Sequence, residues 1–72
     1  LSAQERQGLS LVTRREMEVL SLIARGATNS EIAAEMVIAE TTVKTHVSSL
    51  MSKLAARDRV ALVLFAQRAG IA

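Results

Sequence analysis

The sequence predicts an all-α fold, a compact domain of four helices, on three observations. Threonine-to-glutamate capping boxes stand before apolar stretches, and the apolar residues recur three and four apart instead of alternating. The 72 residues contain no proline and only three glycines, so little interrupts helices. A chain of this length forms one small core.

Residues 1–11, LSAQERQGLSL, hold Gly8 and no sustained period. They read as a linker or mobile lead-in, with the folded domain over residues 12–72. The first helix is predicted over residues 14–25. Thr13 is its N-cap, Glu16 the reciprocal partner, Val12 and Met17 a hydrophobic staple, and Gly26 the residue past its end. Val19, Leu20, Ile23 and Ala24 form its buried stripe. The second helix, residues 29–36, repeats the signal with Thr28 and Glu31 and turns Ile32, Ala33 and Met36 to one side. Only three residues separate it from the third, so the two meet at a tight turn as an angled pair.

The third helix, residues 40–54, places Val43, Val47, Leu50 and Leu54 at i, i+4, i+7 and i+11, a core stripe. Thr41, Lys44, Thr45, Ser48 and Ser52 fall opposite. The fourth helix runs over residues 59–69, from the N-cap Asp58 to Gly70. Its seven consecutive apolar residues, VALVLFA, surround the helix and cannot all face one small core. Leu62, Phe65 and Ala69 are expected to cover the domain while Val60, Val63, Leu64 and Gln67 point elsewhere. That second side is read as a self-association surface, the alternative being an interface with a domain outside this chain.

Composition narrows the function classes. Without cysteine there is no disulfide framework, and a lone histidine, His46, builds no metal cluster. No carboxylate pair, glycine-rich phosphate loop or nucleophile with a base can be assembled, so neither an enzyme nor a cofactor is expected. The longest apolar run has seven residues, too short for a membrane span, and the expectation is a soluble, cytoplasmic chain. Because it starts at Leu1 and not at methionine, the chain reads as a piece of a longer protein.

Charge is unevenly distributed. Residues 1–40 carry four bases against six acids, whereas residues 41–72 carry five bases against Asp58 alone. From Thr41 to Arg57 there are three bases and no acid. A helix entering a major groove needs short polar side chains that let it approach base edges, and no carboxylates facing phosphates. The third helix meets both conditions. Threonine and serine are weak helix formers, so a face chosen for stability alone would differ. An indifferent wetted face stays open as the other reading, and it makes the chain a helical protein-interaction or dimerisation module without DNA binding.

The segment LVTRREMEVLSLIARGATNSEIAAEMVIAETTVKTHVSSLMSKL, followed by RDRVALVLFAQRAGI, resembles the DNA-binding domain of the LuxR/FixJ family of bacterial transcription regulators. The likeness covers about residues 11–71, with TRRE, GATNSEIA, TVKTHV and KL in the family's order. It implies a helix-turn-helix made by the second and third helices, a recognition helix in the major groove of double-stranded DNA, and a homodimer formed through the fourth. It also implies an N-terminal regulatory domain, as in response regulators of two-component systems. By the same resemblance Lys44, Thr45 and Ser48 meet bases or nearby phosphates, with Thr41 on the same face. Thr28, Asn29, Thr42, Ser49 and Lys53 hold the DNA backbone, and His46 is structural or touches phosphate. Val60, Val63, Leu64 and Gln67 would form the dimer surface.

Glu16 and Arg59 match two charged positions expected to pair and lock the first helix to the fourth. Three departures from the family pattern carry consequences. Ala39 replaces the usual serine cap, a change that typically costs about 1 kcal/mol. Ala55 stands where glycine is common, so a left-handed ending there would be strained and the third helix would run on or end differently. Ser30 and Ser48 replace lysine or arginine, which implies fewer phosphate contacts and a shallower salt dependence.

Overall fold

Three capping boxes start three successive helices. Ser2, Thr13 and Thr28 each accept the backbone N–H of a glutamate three residues on, and that glutamate's carboxylate accepts the N–H of the cap. The computed structural model describes residues 1–71, and among them lie five helices: α1 Ala3–Ser10, α2 Arg14–Ala24, α3 Asn29–Met36, α4 Glu40–Lys53 and α5 Arg59–Arg68. Ala72, the last residue of the predicted domain, lies outside the described residues.

The four predicted helices correspond to α2–α5, each ending within one residue of its predicted limit. The count of four is corrected to five, because the lead-in expected over residues 1–11 contains α1. The glycine that argues for a linker is what docks this helix. Gly8 is buried, and a Cβ added there would lie 2.3 Å from the Lys53 carbonyl oxygen, so only glycine lets α1 lie this close to the end of α4. Arg68 of α5 bonds Glu5 of α1 at 2.6 Å, and Leu9 packs on the core from the same segment. The radius of gyration, 11.2 Å, equals the roughly 11 Å of a compact chain this long, as it must if the lead-in is folded onto the body.

The core joins Val19, Leu20 and Ile23 of α2 to Ile32 of α3, then to Val43, Val47 and Leu50 of α4 with Leu54 just beyond. α5 adds Leu62, Phe65 and Ala66. Here too the expectation shifts: Ala66 is fully buried, while Ala69 only borders the core. α2 is the central element, packed on both α4 and α5, and α3 lies against α4.

α2 to α5 each end on a left-handed residue followed by a partly buried apolar one. Gly26, Val37, Ala55 and Gly70 have φ between +52° and +88°. The next residues, Ala27, Ile38, Ala56 and Ile71, donate their N–H to Leu22, Ala33, Met51 and Ala66, which is the Schellman closure. α4 therefore does not run on at Ala55 but takes the strained ending. Val37 does the same between α3 and α4, and so makes the turn of the helix-turn-helix.

Candidate nucleic-acid interface

α4 is built inside out. Val43, Val47 and Leu50 are buried on one side, which leaves Thr41, Thr42, Lys44, Thr45 and Ser48 exposed on the other. Ser52 is exposed as well, whereas His46 is half-buried at the edge. Lys44, Thr45, Ser48, Ser49, Ser52 and Lys53 line one shallow depression, so the two cations of α4 border the same surface. Exposed Arg57 follows in the next loop. The Thr45 hydroxyl donates to the Thr41 carbonyl at 3.1 Å, so it can meet a further partner only as an acceptor. At the N-terminus Ala39 makes no side-chain cap, as its residue type dictates, and its carbonyl alone receives the first N–H groups, from Thr42 and Val43.

The flank of α4 that meets α2 is organised by Glu16. This carboxylate is 5 % exposed, and it accepts the Ser49 hydroxyl at 2.5 Å and the Lys53 ammonium at 2.7 Å while also closing the α2 capping box with the Thr13 N–H at 2.9 Å. Burial pushes the Glu16 carboxyl up, yet the bonds from Lys53, Ser49 and Thr13, together with the lysine charge, outweigh it and bring it down to about 2. The carboxylate is ionised at neutral pH, and Ser49 and Lys53 face inward to it.

The predicted Glu16–Arg59 pair is thus corrected. Arg59 instead donates to the Asn29 side-chain oxygen and to the Ala27 carbonyl, both at 2.7 Å, and ties the start of α5 to the turn before α3. Asn29 is half-buried and retains its amide N–H groups as donors. Thr28 accepts the Glu31 N–H at 3.1 Å as the α3 cap, so its hydroxyl hydrogen remains to be given. The nine residues expected at the interface therefore divide by geometry. Five are exposed on α4, two sit at the start of α3 with a donor left, and Ser49 and Lys53 are held by Glu16. Sequence reasoning missed that last link. Ser49 and Lys53 lie four apart on one helix edge, which tells that they share a neighbour but not which one.

On the second surface Val60 and Leu64 are 66 % and 54 % exposed, with Gln67 exposed beside them. Val63 is half-buried and packs on the core, so it contributes only its outer edge.

A helix-turn-helix whose second helix carries no acid from Thr41 to Lys53 belongs to the DNA-binding class of small α domains, and the comparisons with known proteins agree. The profile of bacterial regulatory proteins, luxR family, matches residues 10–66, and the chain belongs to that family as a DNA-binding output domain. It is 52 % identical over 62 residues to the uncharacterised transcriptional regulatory protein YhcZ of Bacillus subtilis, which covers 86 % of this chain and 29 % of that protein. It is also 52 % identical over 56 residues to the response regulator protein VraR of Staphylococcus aureus and of Staphylococcus epidermidis, 78 % of this chain and 27 % of theirs. The chain spans under a third of the length of these relatives. No helix among the described residues is long and apolar enough to cross a membrane.

Proposed function

We propose that α4 enters the major groove of double-stranded DNA and that the chain is the sequence-reading end of a transcription regulator. One observation carries this reading: five polar side chains and no acid stand on the outer side of α4 from Thr41 to Ser48, above a core that fixes the helix rigidly. A 14-residue helix is about 21 Å long, and a groove about 12 Å wide admits it. Lys44, Thr45 and Ser48 meet base edges or the phosphates next to them, flanked by Thr41 and Thr42. Thr28 and Asn29 give their remaining donors to the backbone, where the N-terminus of α3 also favours an anion.

Two such domains pair through Val60, Leu64 and Gln67 of α5, with the edge of Val63, and read two half-sites about one helical turn apart. A regulatory domain precedes the chain in the whole protein, as the length of its relatives supports, and controls the domain as a response regulator does.

A fluorescence titration of duplex DNA at several salt concentrations tests the groove assignment. Lys44→Ala should weaken binding to every duplex and reduce the log–log salt slope by about 0.9, the value of one phosphate contact. Ser48→Ala and Thr45→Val should instead shift preference among sequences, by about 1–3 kcal/mol at the base concerned. Unchanged duplex binding in all three variants would overturn the proposal.

A further inference from the structure

We infer that Glu16 is a positioning residue that withholds Lys53 and Ser49 from DNA and thereby limits sequence-independent binding. The inference rests on the proposed reading of α4 and deepens it. Lys53 borders the same depression as Lys44, Thr45 and Ser48, and by position alone it is a second phosphate ligand. Its ammonium lies 2.7 Å from the Glu16 carboxylate, which is buried, fully ionised at neutral pH and fixed from behind by the Thr13 N–H. Ser49 donates its only hydroxyl hydrogen to the other carboxylate oxygen and so has none for a phosphate.

A phosphate competing for Lys53 has to leave Glu16 charged and unpaired in a nearly buried site, which is strongly unfavourable. The pair therefore meets DNA as a neutral unit. Of the two cations on α4, Lys44 alone releases counterions when α4 binds, and discrimination between sequences rests on a face with little non-specific attraction beneath it.

The test compares salt slopes on a random-sequence duplex for the wild type, Glu16→Gln, Lys53→Met and the double variant. Glutamine keeps the capping-box acceptor but removes the charge that holds Lys53. Glu16→Gln is expected to steepen the slope by about 0.9, so that binding falls about 3.5-fold further than in the wild type between 50 and 200 mM salt. Lys53→Met should leave the wild-type slope unchanged and abolish the gain when combined with Glu16→Gln. Glu35→Gln removes one exposed acid away from α4 and should not reproduce the effect, which separates release of Lys53 from a general rise in charge.

A slope in Glu16→Gln equal to that of the wild type overturns the inference. So does a Lys53→Met protein whose slope is shallower by about 0.9, because Lys53 would then already touch phosphate. If Glu16→Gln does not fold by circular dichroism, the Lys53→Met slope decides alone. Wild-type protein that binds no duplex at low salt sinks the proposed function itself, an outcome distinct from either.

Discussion

Glu16 shows how one side chain joins stability to the candidate interface. Its ordinary value of 4.5 is lowered to about 2 in the folded chain, so the native state binds this proton more weakly than the unfolded state. The stabilisation is complete above about pH 4.5 and is lost as pH falls through 2. At neutral pH it amounts to roughly 3 kcal/mol. Glu16→Gln should be less stable by about that much in urea unfolding at pH 7, and the gap to wild type should close progressively between pH 4.5 and 2. A gap that is constant with pH would mean that the carboxylate's charge contributes nothing. Val37 marks the opposite case, a residue that works against the fold. Its φ is +56° and the residue is 88 % exposed, so a β-branched residue bears left-handed strain with little packing in return. Val37→Gly should raise stability by about 1 kcal/mol after the extra freedom of glycine in the unfolded chain is deducted, as thermal unfolding would show.

At the scale of the helix, what the sequence reveals divides into near and far. The starts of α2, α3 and α5 and the core stripes of α2, α3 and α4 are legible because each is set by residues within one or two turns: Thr13 with Glu16, Thr28 with Glu31, Asp58 with the Ala61 N–H, Val43 with Val47 and Leu50. The exposed polar side of α4 follows from the same periodicity. α1 does carry a local mark, the Ser2–Glu5 capping box, but its docking through Glu5 and Arg68, the bonds from Ser49 and Lys53 to Glu16 and the bonds of Arg59 depend on residues 30 or more positions away, which no local pattern reveals. Gly8 is instructive because its local and distant meanings oppose each other. Within an isolated helix Gly8→Ala is favourable by about 1 kcal/mol. Against α4 it collides with the Lys53 carbonyl, so α1 should undock although its own helical tendency rises. Amide exchange would report faster exchange over residues 3–10 together with shifted resonances at Leu54 and Arg68, whereas unchanged protection would mean that α1 is not held by this contact. The missing cap of α4 is a simpler case. Ala39→Ser supplies an acceptor for the first-turn N–H groups and should stabilise the domain by about 1 kcal/mol without altering the outer face.

At the scale of the whole molecule, one small core carries two outward surfaces, the polar side of α4 and the apolar side of α5. α5 gives Leu62, Phe65 and Ala66 to the core and keeps Val60, Leu64 and Gln67 outside, while α1 reaches α5 through Glu5 and Arg68. The apolar outer strip is small, so pairing of isolated domains should be weak and become strong only when DNA presents two half-sites together. Leu64→Glu tests this more cleanly than Val63→Glu. Leu64 is more than half exposed, so a charge there disturbs association and leaves the fold intact, whereas Val63 packs on the core and its loss would confuse pairing with unfolding. Sedimentation should show wild-type weight-average mass rising with concentration and Leu64→Glu remaining monomeric at equal thermal stability. On a duplex with two half-sites, Leu64→Glu should lose cooperativity but bind a single half-site as the wild type does, because α4 is untouched. Wild-type domains that stay monomeric at high concentration and fill two half-sites independently would assign the exposed side of α5 to the regulatory domain. Dimer formation would then have to originate outside this chain, and the spacing of half-sites would reflect that domain's geometry instead of the symmetry of α5.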